Sequence, residues 1–399
     1  MQLCLIVDDY LPDSGKIAAK MMHELALEFI RQGHDVLLIT PDSYQKYGKS
    51  KNHLYDFEGV QVFRFPSGRL KNVPKSLRLV NEFLLSYRAW YYGHKFLSSK
   101  KFDFIIYYSP SIFWSYLVEK IRNIGGAKTF LILRDFFPQW VIDNGMIKEK
   151  SFLGRFFRHY EFKNYRAADK IGIQSPANLQ YFNQMAKRWA HKSCLLYNWS
   201  STENTAPITY KYRKKFGLEG KVIFFYGGNI GQAQDMSILI RLAKRMKQFP
   251  EAHFLFIGEG DEVPLVQAAA NDLSYGNISY FQSVSQNVFY SILHEVDVGM
   301  FSLHKDHKSH NFPGKILGYL SSSKPILGAV NKNNDLIEVI NESNSGLVTE
   351  SGNDDALFEN AKKLMDPFFR QKLEKNTKTL IEKLFSVDSA VKTILGNYS

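Results

Sequence analysis

Three glycine-bearing stretches in the second half of the chain carry the residue types that hold phosphate. "YGGNIGQAQDM" places Gly227, Gly228 and Gly231 directly after an apolar run, and "IGEGDE" places Gly258 and Gly260 after the next. Glycine lets backbone N–H groups come close to an anion, and the start of a following helix adds positive potential. In "HNFPGKILGYLSSSKPILG", Pro313 and Gly314 stand where a helix begins and Lys315 falls in its first turn, with Ile316, Leu317 and Leu320 as the apolar face. Backbone amides and one ammonium make a diphosphate cradle, although the segment holds no carboxylate. A glycine after a strand also serves simply to turn the chain, and a lysine at a helix start is equally at home in water.

In the first half, "LRDFFPQW" puts Arg134 and Asp135 directly after a strand, where charge has no evident packing reason. Asp135 is of a type to orient or deprotonate a hydroxyl, or to cap a helix. Asp13, Ser14 and Gly15 occupy the equivalent loop after the first strand. His304, His307 and His310 lie close together, but no fourth ligand or usual spacing accompanies them, so no zinc site is expected. Cys4 and Cys194 alone cannot build a disulfide framework, which fits a cytosolic setting.

The elements that must position these residues follow from periodicity. Short apolar runs at 3–7, 35–40, 60–65, 102–109, 128–134 and 170–175 alternate with helical patterns, and the rhythm resumes at 221–229, 253–260, 278–283, 297–303 and 325–330. That is the pattern of parallel sheets covered by crossover helices, so an α/β protein of two nucleotide-type domains is predicted. The expected division is 1–200, 201–379 and a C-terminal helix at 380–399 that packs back on the first domain, with the join in the polar stretch 199–215. The start "MQLCLIVDDY" does not read as a signal peptide, and no uninterrupted apolar window is long enough to span a bilayer.

Lysine and arginine outnumber aspartate and glutamate 51 to 39, a net charge of +12 that favours an anionic partner. Aromatic and basic residues mingle at 69–102 and again at 154–166. Two readings stand for these stretches: ordinary helices with aromatics in the core and bases in water, or a surface for anionic or polyprenyl lipid. Nucleic acid is not expected, since no recognised binding module accompanies the charge.

Taken in order along nearly the whole chain, "DDYLPDSGKIAAKMMHELALEFIRQGHDVLLIT", "YEFKNYRAADKIGIQSPANLQYF", "LLYNWSS", "FYGGNIGQAQDMSILI", "HFLFIGEGDE" and "HNFPGKILGYLSSSKPILG" resemble the family-four glycosyltransferases. Within that family, "RDFFPQWVIDNGMI" with "YNW" and "FPGK" most resembles bacterial surface-polysaccharide enzymes, N-acetyl-L-fucosamine transferases among them. The resemblance implies the GT-B fold, two Rossmann-like domains with parallel sheets facing across a cleft. It implies a UDP-sugar donor with its diphosphate against Gly228, Asn229, Asn311, Pro313, Gly314 and Lys315, and its base near Gly258, Gly260, Val284 and Ser285. The acceptor falls to Ser14, Gly15, Arg134 and Asp135: by analogy, a saccharide on undecaprenyl diphosphate at the inner face of the bacterial cytoplasmic membrane. No metal and no separate cofactor is expected, and no Asp-x-Asp motif is present to hold a metal.

The sequence also departs from its relatives. Many carry two glutamates seven residues apart, and here His310 and Gly318 stand at those positions. His310, Asp135 and Lys315 are therefore the expected catalytic set, and the ribose contact is left without an assigned residue. Retention of anomeric configuration is the family expectation. The alternatives are a UDP-N-acetylglucosamine 2-epimerase-like isomerase and a degenerate, non-catalytic sugar-binding subunit. A nicotinamide dehydrogenase is disfavoured by the absence of Gly-x-Gly-x-x-Gly after the first strand.

Overall fold

The structure, a computed structural model, describes residues 1–14, 16–43, 53–70, 72–143, 145–201, 209–306 and 312–396. The chain divides into two compact units, Met1–Tyr197 with Ala390–Ser399, and Asn198–Ser389. The helix Val387–Gly396 therefore starts in one unit and ends in the other.

The first unit is built on eight strands: β1 (Gln2–Ile6), β2 (Asp35–Pro41), β3 (His53–Phe57), β4 (Val60–Phe65), β5 (Phe104–Tyr108), β6 (Lys128–Leu133), β7 (Lys170–Ile173) and β8 (Ser193–Leu195). Their order is β3-β4-β2-β1-β5-β6-β7-β8, parallel throughout except for the β3·β4 hairpin. The second unit carries β9 (Val222–Asn229), β10 (Ala252–Glu259), β11 (Ile278–Phe281), β12 (Val298–Ser302), β13 (Ile326–Val330) and β14 (Gly346–Glu350). They form an all-parallel sheet in the order β11-β10-β9-β12-β13-β14. Central strands such as β5, β12 and β13 are buried along their whole length, because helices cover both faces of a parallel sheet and leave no solvated side to alternate with.

Three strands escaped the sequence reading. β3 alternates between exposed and half-buried residues, β8 is only three residues long, and β14 sits at the far edge of its sheet. Cys194 lies inside β8. The stretch at 69–102 forms two helices, Lys75–Phe83 and Leu85–Ser98. Its aromatics divide, with Trp90, Tyr92 and Phe96 packed against the core and Tyr87 and Tyr91 exposed.

The polar join is anchored where it is described. Trp199 is fully buried, and Ser200 N–H donates to the Phe385 carbonyl at 2.9 Å. The buried Glu295 carboxylate accepts from Thr209 Oγ1 at 3.1 Å and from the backbone N–H groups of Lys211, Tyr212 and Arg213 at 2.9, 2.7 and 2.8 Å. This one carboxylate fastens the start of the helix Tyr212–Lys215, since it satisfies backbone donors at the N-cap and in the first turn.

Candidate functional site

In the second unit the switch of strand order falls at β9, which pairs with β10 on one side and β12 on the other, and ligands of open α/β sheets gather beyond such strand ends. β9 runs into Gly227, Gly228 and Asn229. Gly227 N–H donates to Tyr319 Oη at 3.1 Å, and that hydroxyl donates to the Met300 carbonyl at 3.0 Å, tying β9 to β12 through the helix Lys315–Ser321. Gly258 pairs in register with Gly228, and a Cβ at 258 would collide with the Gly228 carbonyl oxygen. The glycine is thus required for two backbones to approach, whatever they bind.

Lys315 lies over this turn. A Cβ on Gly228, whose φ is +109°, would sit 3.9 Å from Lys315 Cε, and Nζ is 3.5 Å from the centre of the Tyr226 ring. The stem is partly exposed, but Nζ is buried and has no hydrogen-bond partner among the described residues. Burial holds the amino group's pKa well below its ordinary value. The ring face offers a cation some attraction, yet desolvation outweighs it. The Tyr226 hydroxyl is engaged with the Asn229 carbonyl at 2.6 Å, and Asn229 Nδ2 with Gln234 Oε1 at 2.7 Å.

A cavity of about 200 Å³ opens at the same strand ends. It is lined by Gly228 and Asn229 of β9, by Ile257, Gly258 and Glu259 of β10, and by Ser283, Val284 and Phe289. Four residues predicted from sequence, Gly228, Asn229, Gly258 and Val284, thereby share one wall system, and Ser285 follows Val284 at the head of the helix Gln286–Glu295. Pro313 and Gly314 immediately precede Lys315 and lead into its helix, as the spacing predicts. Gly260, with φ +150°, is held against the Ile230 backbone, which gives it a packing role of its own. His310 and Asn311 lie outside the described residues.

The first unit presents a different arrangement. Arg134 follows β6 and donates from Nη1 to the Leu196 carbonyl at 2.6 Å and from Nη2 to the Tyr197 carbonyl at 3.2 Å. The reading that Arg134 has no packing role is therefore corrected: it pins the segment leaving β8, and burial lowers its pKa only to about 10. Burial raises the Asp135 carboxyl, with Arg134 pulling it back. Ser14 Oγ donates to Asp9 at 2.8 Å, where Lys16 Nζ also stands at 3.5 Å, while Gly15 lies outside the described residues. Asp13, buried, pairs with Arg64 at 3.3 Å.

Two acids were missed at the sequence level. Asp8, just beyond β1, has its carboxyl pushed up to about 6 by burial, with Lys16 working against the shift. With Tyr108 and Asp135 it marks the carboxyl ends of three neighbouring strands, β1, β5 and β6. Two consecutive acids after a buried strand were the available signal. Glu259, the last residue of β10, was passed over as part of a glycine loop although it lines the cavity. Among the described residues no cluster of three or more His, Cys, Asp or Glu is placed to hold a metal, and no helix is long and apolar enough to cross a membrane.

Residues 220–367, within the second unit, match the sequence profile of the family described as Glycosyl transferases group 1. Over 229 residues, 57% of the chain, it is 22% identical to a probable glycosyltransferase WbjE of Pseudomonas aeruginosa, and the match spans 57% of that relative's length. Among solved structures it is similar to sucrose-phosphate synthase from Thermosynechococcus elongatus, at TM-score 0.69 and 14% identity over 100% of this chain and 98% of that one. It is likewise similar to HepE of Anabaena in complex with UDP, at TM-score 0.68 and 14% identity over 100% and 99%. For WaaG, described as a glycosyltransferase involved in lipopolysaccharide biosynthesis, the figures are 0.63 and 15% over 99% and 100%. The fold is GT-B: α/β, with two Rossmann-like domains.

Proposed function

We propose that the chain is a glycosyltransferase that binds a UDP-sugar on its second unit and transfers the sugar to a lipid-linked saccharide during assembly of a bacterial surface polysaccharide. The observation that carries this reading is the Lys315 amino group, buried over Gly228 without a hydrogen-bond partner among the described residues. A buried donor left unmatched is costly, and an anionic diphosphate at this turn supplies what it lacks. In the reaction the bond from the sugar C1 to the diphosphate oxygen breaks, the acceptor oxygen bonds to C1, and the acceptor proton must leave. Lys315 and the glycine-turn amides stabilise charge on the departing phosphates, so no carboxylate is needed at that step. Asp135 on the first unit is the base or orienting group for the acceptor, and its raised pKa suits that work.

Several finer parts of the reading rest on sequence resemblance: an N-acetylated amino sugar such as N-acetyl-L-fucosamine as the sugar, undecaprenyl diphosphate as the carrier, retention as the stereochemistry, and operation without metal. Attachment to the inner face of the cytoplasmic membrane has support in the exposed Leu77, Val80, Tyr87 and Tyr91, interspersed with Lys75, Arg78 and Lys95 on two successive helices. The test is calorimetric titration of the purified protein with UDP, GDP, ADP and TDP. Selective binding of UDP is expected. Selectivity for another nucleotide would change the donor, and no binding to any of the four would overturn the transferase reading.

A further inference from the structure

We infer that Glu259 receives the ribose hydroxyls of the bound nucleotide, in place of the carboxylate that the helix Lys315–Ser321 lacks; this rests on the nucleotide-site reading above. β9, the helix Met236–Met246 and β10 form a βαβ unit with its glycine-rich turn after the first strand. Glu259 is the last residue of the second strand and pairs in register with Asn229. In nucleotide-binding βαβ units, an acid beyond the glycine turn accepts hydrogen bonds from the ribose. An ionised carboxylate is acceptor-only and takes two donors at once, which matches a vicinal diol.

The neighbouring acids are occupied elsewhere. Glu262 accepts from Met236 N–H at 2.9 Å, at the start of the helix after β9, and Asp261 is directed at Gln232 N–H at 3.3 Å. Glu259 instead faces the cavity, where it is the only ionisable residue among the described lining. Ser283 Oγ, also on the cavity lining, donates to Glu259 Oε2 at 3.3 Å, which orients the carboxylate and leaves Oε1 and the second lone pair of Oε2 for a ligand. The helix Lys315–Ser321, "KILGYLS", has no acid to compete for the role.

The experiment is calorimetric binding of UDP and of 2′,3′-dideoxy-UDP to the wild-type protein, Glu259→Ala and Glu259→Gln, with a melting curve for each. The wild type is expected to prefer UDP by about 10- to 100-fold, as charged hydrogen bonds to a diol do. In Glu259→Ala the preference falls toward one through weaker UDP binding, and dideoxy-UDP affinity stays the same. Glu259→Gln, which keeps the side-chain size, retains an intermediate preference and guards against a folding defect in the alanine variant. UDP binding with a ribose preference that survives both substitutions overturns this assignment alone. A wild type that binds neither nucleotide overturns the nucleotide site and the assignment with it.

Discussion

Arg134 and Lys315 are both buried basic groups in parallel α/β units, and burial lowers the pKa of each, yet their surroundings differ in kind. Arg134 spends its guanidinium on two backbone carbonyls, those of Leu196 and Tyr197, and stays charged at neutral pH with a pKa near 10. Lys315 has the Tyr226 ring below its amino group and no acceptor among the described residues. A buried base anchored on two carbonyls, as Arg134 is even with its Nε unmatched, holds a fold together, whereas one with no hydrogen-bond acceptor gains one from an anion that arrives from outside. The first unit's arginine thus holds two carbonyls of its own architecture, and the second unit's lysine is the group that the proposed function gives to the ligand.

Three substitutions or conditions separate these roles. The largest effect is expected at Asp135, beside the structural arginine: Asp135→Asn should lower transfer by about 10²- to 10⁴-fold, the usual worth of a positioned acid or base, with UDP affinity unchanged. A rate equal to wild type in a radiolabelled-sugar transfer assay would return Asp135 to a structural role. Next, Arg134→Met leaves two carbonyls without their donor and should cost about 3 kcal/mol of stability, a fall of several degrees in melting temperature. Calorimetric UDP affinity should stay within about twofold of wild type, and a large loss of affinity without a lower melting temperature would erase the contrast with Lys315.

The smallest effect is the pH dependence. Because burial depresses the pKa of Lys315 in the empty protein, an arriving diphosphate must restore it, so binding takes up a proton. Above about pH 7, where the terminal phosphate of UDP is already ionised, affinity should weaken as pH rises, by at most about tenfold per unit. Titrations in two buffers of different ionisation enthalpy measure that uptake directly, and identical heats in both would deny it.

Much of this was legible in the sequence, for local reasons. Uninterrupted apolar runs mark strands buried on both faces, and Gly227, Gly228, Gly258 and Lys315 stood out because their surroundings in the chain fix where the turns fall. What escaped depends on partners distant in sequence. Arg134 reads as a loop charge until Leu196, 62 residues on, presents its carbonyl, and Glu295 reads as the end of an ordinary helix until Lys211, 84 residues back, donates to it. Glu259 hid among glycines, since only the β9·β10 register brings it level with Asn229. The edge strands β3, β8 and β14 are too short or too exposed to leave a clear period.

The most direct test of the account is UDP binding to wild type and Lys315→Met, measured by calorimetry alongside the melting temperature of each. Methionine keeps an unbranched side chain over Gly228 and removes the amino group. A loss of UDP affinity of about 30-fold or more is expected, with a melting temperature that holds or rises because a buried, unmatched polar group is gone. Undiminished UDP affinity in Lys315→Met, or a fall in melting temperature as large as that of Arg134→Met, would contradict it.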